Sequence, residues 1–324
     1  MRDIFSEGLL YLDLLELYGS SYAVAELCGV AQSNVFRGAS ACSKLLNLGL
    51  TKDRSKGEYR VERNHDVQRD LRRLNQRLRA RENGNLRVLG PDFAFPDAPS
   101  RTEAALFRRL PCRWDDSLRS LDFLEQGLLD LVLMGSSAAA PRVSWPAGVR
   151  RRDLYVPVSP FLVSELCELP LVLLAVPGHP VFEPPLADLS VLLPHPCLCS
   201  EFFAPEPEAT RLAPLCPPLL SSKLEPQGSA EAFLLSNPEC VVVLTHQELL
   251  SWRDALHSSA LCAAPLAGVA PQQLLMITQP ALVKEPLHQE LSAFLHRISH
   301  DRTHAAETSL GLDRLHSPSP GPAA

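Results

Sequence analysis

The sequence is poor in glycine, with 16 among 324 residues, and it lacks the short motifs that position phosphates, nucleophiles or zinc in common enzymes. It contains no glycine-rich phosphate loop, no Gly-x-Ser-x-Gly nucleophile turn and no His-Glu-x-x-His zinc motif. Ser136 and Ser137 follow a predicted strand, but the glycines of a nucleophile turn do not surround them. We therefore predict that the protein is not an enzyme.

Long apolar runs are also missing. No stretch reaches the length of about 18 uncharged apolar residues that a membrane-spanning helix requires. The N-terminus is acidic and amphipathic, and it lacks the basic and then apolar order of a signal peptide. We therefore expect a cytoplasmic protein that does not contact a membrane.

Cysteines number nine, an odd count that does not suit a disulfide framework. His195, Cys197 and Cys199 lie close together in the sequence, but no second pair with ligand spacing accompanies them. Such a pattern more commonly arises from buried cysteines in a strand. We predict neither a bound metal nor a cofactor.

The charge is unevenly distributed along the chain. Residues 31–81 contain 13 lysines and arginines against 5 aspartates and glutamates, a net charge of +8. Because the whole chain carries −6, the remainder carries −14. A basic segment on an acidic body is typical of a nucleic-acid-binding protein with a separate sensing or partner domain.

Within this region, the pattern of a helix-turn-helix is recognisable. Val24 and Leu27 supply an apolar face to a first short helix, and Ala25 supplies a small side chain for close helix contact. Gly29 can adopt the left-handed conformation that ends one helix before the next begins. The alternative is an ordinary helical hairpin with a solvated polar face.

The second helix of the pair begins with polar side chains. Glutamine and asparagine pair with adenine edges in the major groove, and arginine pairs with guanine edges. Serine is better suited to a phosphate contact or to capping the helix. These considerations predict DNA-contacting residues at Gln32, Ser33, Asn34 and Arg37.

A basic hairpin is predicted after this helix, over residues 52–61, with Gly57 at its tip. Such a wing normally lies along phosphates, and a set of cations gives DNA binding a steep dependence on salt. The predicted phosphate-contacting residues of the hairpin are Lys52, Arg54, Lys56 and Arg60.

A long helix is predicted from His65 to Glu82, a segment without proline or glycine. Its apolar residues are spaced by 4, 3 and 4 positions, which is the pattern of a coiled-coil seam. The seam consists of Val67, Leu71, Leu74 and Leu78. We predict that this helix mediates dimerisation; the alternative is a solvated helix that rests on its own domain.

The remainder of the chain alternates between predicted strands and helices, which favours a parallel sheet covered on both faces. A second α/β lobe is predicted to begin near Leu186. The predicted strands are 86–90, 128–134, 169–176, 197–200, 240–245 and 274–278. The predicted helices are 101–110, 117–126, 229–236 and 287–298. Open α/β sheets bind ligands at the carboxyl ends of their strands, and two lobes offer a cleft between them.

This order of parts, together with particular residues, resembles the LysR-type transcription regulators. The family's N-terminal landmarks are matched by Gly19-Ser20, Val24-Ala25-Glu26, residues 28–33 and Phe36-Arg37, without gaps. In the body, residues 127–131 and 168–180 resemble two further landmarks. The resemblance covers about residues 5–300.

The resemblance implies an α/β fold class, with an N-terminal winged helix-turn-helix and a two-lobed effector domain like that of periplasmic binding proteins. The expected domains are residues 1–64 for DNA binding, 65–84 for dimerisation, 85–300 for effector binding and 301–324 as a disordered tail. The implied partners are double-stranded DNA, a small-molecule effector and further copies of the chain, as a homodimer or homotetramer.

In this family the effector contacts residues at strand ends, which implies Asp92, Ser136, Ser200 and Thr245 here. A redox-active thiol would also suit such a regulator, with Cys199 and Cys216 as one candidate pair. Ala31, Ser33 and Phe36 depart from the family pattern. These departures support an alternative, a dimeric ligand-binding or interaction protein that has lost specific DNA recognition.

Overall fold

The computed structural model describes most of the chain. The described residues are 6–53, 58–83, 85–96, 100, 105–110, 117–136, 156–158, 160–182, 197–199, 234–250, 261–266 and 272–310. They form two compact units, one made of residues 1–78 with 126–128 and the other of residues 79–125 with 129–324. In the described part of the chain, no helix has the length and apolar character needed to cross a membrane.

The first unit is a small helical bundle followed by a hairpin and a long helix. Its elements are α1 (Ser6–Tyr18), α2 (Ser21–Cys28), α3 (Gln32–Leu45), β1 (Leu50–Asp53), β2 (Glu58–Val61) and α4 (His65–Leu78). The strands β1 and β2 are antiparallel, with Leu50 opposite Val61. The predicted winged helix-turn-helix is therefore confirmed.

The helix α1 supports the other two helices of the bundle. Leu12 and Leu15 are fully buried, as expected for a helix with leucines on more than one face. Its contact with α3 is close at two glycines. A Cβ atom on Gly38 would lie only 2.7 Å from Cδ2 of Tyr11, and one on Gly8 would lie 2.9 Å from Cβ of Cys42. Larger residues at these positions would force the two helices apart.

The second unit contains two sheets and begins with a π-helix at Arg79–Asn83. Its strands are β3 (Leu86–Leu89), β4 (Phe107–Leu110), β5 (Leu131–Gly135), β6 (Val156–Val158), β7 (Phe161–Leu169), β8 (Leu171–Ala175), β9 (Cys197–Cys199), β10 (Val241–Thr245), β11 (Cys262–Pro265) and β12 (Gln272–Thr278). Its α-helices are α5 (Ser117–Glu125), α6 (His246–Leu250) and α7 (Pro286–Leu310). Two 3₁₀ turns, Asp92–Ala94 and Pro180–Phe182, complete the described elements.

The larger sheet has six strands in the order β4-β3-β5-β12-β7-β6, and the smaller has four in the order β11-β8-β10-β9. The pairs β3–β4, β3–β5 and β9–β10 are parallel, and the other described pairs are antiparallel. The prediction of a parallel sheet is therefore correct for these three pairs and wrong for the others, because both sheets are mixed. The late strand β12 inserts between β5 and β7, antiparallel to both.

The core of the larger sheet is aromatic and aliphatic. The ring centroids of Phe95 and Phe107 lie 5.6 Å apart, and those of Phe107 and Phe294 lie 5.9 Å apart. Leu291 and Leu295 of α7 are fully buried in the same cluster. The amphipathic closing helix is thus confirmed, and it covers one face of the sheet.

Several boundaries in the second unit differ from prediction. The segment predicted as one helix over residues 101–110 ends as strand β4, and residues 101–104 lie outside the described part. The apolar run 169–176 is not one strand, because β7 ends at Leu169 and β8 begins at Leu171 in the other sheet. The smaller sheet therefore begins well before Leu186. The closing helix continues to Leu310, ten residues into the segment predicted to be a disordered tail.

Candidate nucleic-acid interface

The turn between α2 and α3 is set by capping interactions at both ends of α2. Ser20 caps its start, accepting a hydrogen bond from the backbone N of Ala23 at 3.4 Å. Gly29 ends it with φ 62° and ψ 36°, in the left-handed region. The backbone N of Val30 then donates to the carbonyl O of Ala25 at 3.0 Å, which reverses the chain. The predicted role of Gly29 is confirmed.

The two faces of α3 differ in character. Val35, Ala39 and Cys42 are fully buried against the bundle. Ser33 and Arg37, one helical turn apart, are exposed. Burial raises the pKa of the Cys42 thiol to about 11, and the nearby charge of Asp13 contributes to the rise. Cys42 is therefore a structural residue, and the outward face of α3 is the one available to a partner.

The predicted DNA-contacting residues on α3 form a local hydrogen-bonded arrangement. Arg37 donates from Nε to the carbonyl O of Ser33 at 3.2 Å and from Nη2 to Oδ1 of Asn34 at 2.8 Å. A guanidinium has five N–H donors, so these two bonds leave others to bind a partner. Gln32 is half-buried and donates from Nε2 to Oγ of Ser21 at 2.8 Å. Ser33 does not cap α3, since the N-cap position is Ala31.

Part of the predicted wing is described. Lys52 on β1 lies opposite Tyr59 on β2, and its Nζ is 5.0 Å from the centre of the tyrosine ring. This cation–π contact orients the ammonium group along the hairpin. Arg60 is exposed on β2. Arg54 and Lys56, also predicted to contact DNA, lie outside the described residues.

The helix α4 buries a polar face. Gln68, Arg72 and Gln76, spaced four residues apart, are all buried although each is polar. Nε of Arg72 donates to Oδ1 of Asp13 at 2.8 Å, and Nη2 donates to Oε2 of Glu16 at 2.8 Å. Burial lowers the pKa of Arg72, but the charges of Asp13 and Glu16 and their hydrogen bonds raise it by more. The guanidinium therefore stays charged and ties α4 to α1.

The apolar face of α4 is the exposed one. Leu74 is 56% exposed, Val67 and Leu78 are also exposed, and Leu71 is half-buried. These are the four residues of the predicted seam. An amphipathic helix normally buries its apolar stripe, so the arrangement is inverted with respect to the helix's own unit.

Of the four predicted effector-contacting residues, the structure describes the side chains of Thr245 and Ser136. Thr245 is fully buried at the end of β10, and its backbone N donates to Oε2 of Glu248 at 2.7 Å. The backbone N of Glu248 donates in return to Thr245 Oγ1 at 3.2 Å, which is a capping box at the start of α6. Asp92 begins a 3₁₀ turn after β3, but its side chain and all of Ser200 lie outside the described residues.

Ser136, directly after β5, lies in a polar cluster with Gln272, Gln273 and Glu165, none of which was predicted from the sequence. Its Oγ donates to Oε1 of Gln272 at 3.2 Å and accepts from the backbone N of Gln273 at 3.2 Å. Nε2 of Gln273 donates to Oε2 of the buried Glu165 at 3.1 Å. The signal in the sequence was the presence of two glutamates, Glu165 and Glu168, in the otherwise largely apolar strand Phe161–Leu169. Ser136 and Thr245 lie on different sheets, and no hydrogen bond joins them among the described residues.

No protein-family model matches the sequence, and no curated protein matches it. Among solved structures, the chain is similar to a cysteine variant of full-length OxyR from Pseudomonas aeruginosa. The two share 17% identity over 92% of this chain and 98% of that one, with a TM-score of 0.52. A probable transcriptional regulator, also from Pseudomonas aeruginosa, shares 14% identity over 89% and 95% of the two chains, with a TM-score of 0.51.

These likenesses extend over nearly the full length of both known structures, so they cover the helical bundle and both sheets together. At such low sequence identity, the structural similarity shows a shared fold. The chain therefore shares the fold of these two structures, with an N-terminal winged helix-turn-helix and a two-lobed α/β domain.

Proposed function

We propose that the protein is a sequence-specific DNA-binding transcription regulator that acts in the cytoplasm as a homodimer or homotetramer. The observation that carries the proposal is the geometry of α3. Its apolar face is fully buried, while Ser33 and Arg37 point outward from a capped helix-turn-helix. A recognition helix enters the major groove with such an outward face, and its N-terminal residues contact base edges. The basic hairpin beside it suits the flanking phosphates.

The exposed stripe of α4 supports pairing between two copies of the chain. Burying four apolar side chains of this size against an equivalent stripe would stabilise a dimer by several kcal/mol, at about 25 cal/mol per Å² of buried apolar surface. Two copies related by a two-fold axis would present two α3 helices to two half-sites of a palindrome.

An effector is proposed to bind in the two-lobed domain, near the cluster of Ser136, Gln273 and Glu165. These residues gather hydroxyl, amide and carboxylate groups at the ends of strands β5 and β12 and within β7. Such a site would favour a small polar molecule with hydrogen-bond donors, because Glu165 when ionised offers only acceptors. The effector would shift the arrangement of the dimers on DNA.

The test of DNA binding is a titration of genomic fragments, including the region upstream of the protein's own gene, across a salt series. We expect selective retention of fragments that contain a palindrome, with affinity falling steeply as salt rises. Arg37→Ala should weaken binding by about fivefold to a hundredfold, because a good arginine contact to guanine contributes about 1–3 kcal/mol.

The matched control is Lys44→Ala, which removes an exposed cation from the last turn of the same helix. Its effect should be much smaller than that of Arg37→Ala. Equal and weak retention of all fragments, vanishing with salt, would instead support an interaction protein without DNA recognition. Unchanged affinity for Arg37→Ala would remove the assignment of α3 as the recognition helix.

A further inference from the structure

The outward face of α3 carries a large apolar side chain beside its polar ones. Phe36 is 52% exposed, although its neighbour Val35 is fully buried. It lies three residues after Ser33 and next to Arg37, so it shares their side of the helix. An exposed phenylalanine loses hydrophobic stabilisation that a buried one would gain. What distinguishes Phe36 from other exposed apolar residues is its place beside Ser33 and Arg37 on the outward face of α3.

Neither the core of the bundle nor the dimer seam fully covers Phe36. The core forms around Val35, Ala39 and Cys42, and Phe36 lies at the edge of this buried face, with about half of its side chain exposed. The exposed apolar stripe lies on a different helix, α4. Phenylalanine is also a poorer helix former than alanine, leucine or arginine, so helix propensity does not favour it here.

We propose that Phe36 determines sequence specificity by contacting the 5-methyl group of thymine in the major groove. The inference rests on the proposed function and adds a base preference to it. A phenylalanine side chain has neither donor nor acceptor, so base edges offer it only apolar contact. In the major groove, the thymine methyl is the apolar group that distinguishes one base pair from the others.

The neighbouring Arg37 makes this assignment more specific. Its guanidinium is held along the helix by the bonds from Nε to the carbonyl O of Ser33 and from Nη2 to Oδ1 of Asn34. The two adjacent residues therefore offer different chemistry on one face, a cation with N–H donors and an apolar ring. Such a face fits a half-site that contains both a guanine and a thymine.

The test uses the full-length protein and a duplex enriched from a random-sequence pool by binding to it. Each thymine of the enriched site is replaced singly by deoxyuridine, which removes only the methyl group. We expect one replacement per half-site to weaken the wild-type complex about fourfold, the loss that corresponds to one methyl of apolar contact. Replacement at other thymines should have little effect.

The matched variants are Phe36→Ala and Phe36→Leu. With Phe36→Ala, the thymine and deoxyuridine duplexes should bind equally, because the methyl has lost its partner. With Phe36→Leu, part of the difference should return. Since the side chain is exposed, both variants should keep the wild-type circular dichroism spectrum.

The outcomes separate the two proposals. Selective enrichment of a site, without discrimination between thymine and deoxyuridine at any position, overturns the assignment of Phe36 and leaves the regulator proposal intact. A thymine preference that persists in Phe36→Ala also overturns it. Failure of the protein to enrich any sequence overturns the proposed function, and the base preference falls with it.

Discussion

Replacing Arg72 with methionine should strongly destabilise the first unit. The guanidinium is only 2% exposed and is bonded to Asp13, also 2% exposed, and to Glu16. It also donates from Nη1 to Oε1 of Gln126 at 3.2 Å. Methionine keeps an unbranched apolar chain in place of the arginine's methylene groups, so the main loss is the guanidinium with its charge and hydrogen bonds.

The magnitude follows from what the substitution leaves behind. Removing one partner of a buried ion pair costs about 3–5 kcal/mol, because the remaining charge stays buried without compensation. Here two carboxylates lose their common cation. We expect Arg72→Met to lower the free energy of unfolding by an amount in this range, a large fraction of the total for a small domain.

Urea unfolding of the full-length protein, followed by far-ultraviolet circular dichroism, measures the effect. Arg73→Met is the matched control, because Arg73 is the exposed neighbour on the same helix. It should change stability by no more than about 0.5 kcal/mol. Adding Asp13→Leu to Arg72→Met should recover part of the loss, since it removes one of the two carboxylates that have lost the guanidinium. A loss below about 1 kcal/mol for Arg72→Met would refute the reasoning.

Three further predictions concern pH, pairing and thiol access. Burial lowers the pKa of His288 to about 4, against partial opposition from Asp130, while the unfolded value is 6.5. The unfolded state therefore binds more protons between these values, so stability should fall by about 3 kcal/mol as pH drops from 6.5 to 4. Urea titrations at several pH values should show a smaller fall in the free energy of unfolding for His288→Gln than for the wild type. Leu71→Asp with Leu74→Asp should give a monomer in sedimentation analysis; a persisting dimer would show that the α4 stripe is not the interface. Maleimide labelling followed by mass spectrometry should modify the exposed Cys262 in the native protein and the buried Cys42 only after denaturation.

The helix-turn-helix could be predicted from sequence because its determinants are local. The small residue Ala25, the turn glycine Gly29 and the apolar residues around them lie within one short segment. The hairpin and the helix α4 were predictable for the same reason. What sequence did not reveal is that α4 buries Arg72, because its partners Asp13 and Glu16 lie more than fifty residues away.

The sheets were harder to predict because their pairing is non-local. The strand β12 lies more than 130 residues after β5, yet the two are paired. The division of the run 169–176 did have a local sign in Pro170, which has no N–H to continue a ladder of hydrogen bonds. The segment 107–110 is too short for its period to distinguish a strand from a helix.

The residues predicted to contact an effector include one whose role is set locally and another that meets its neighbours only in the folded sheet. Thr245 begins the sequence Thr-His-Gln-Glu, which matches a capping box, so its structural role could have been predicted. The cluster of Ser136, Gln273 and Glu165 joins three separate strands or strand ends, and a single sequence does not reveal such a meeting.

The inverted helix α4 has a consequence for the amount of protein that a cell must make. If its exposed leucines are covered by a second copy, each subunit is stabilised by its own concentration, through mass action. A newly made chain then reaches its full stability only after meeting another. Halving the rate of synthesis would lower the fraction of paired subunits as well as their number. Under the proposed function, occupancy of a palindromic DNA site would then fall more than proportionally to gene dosage.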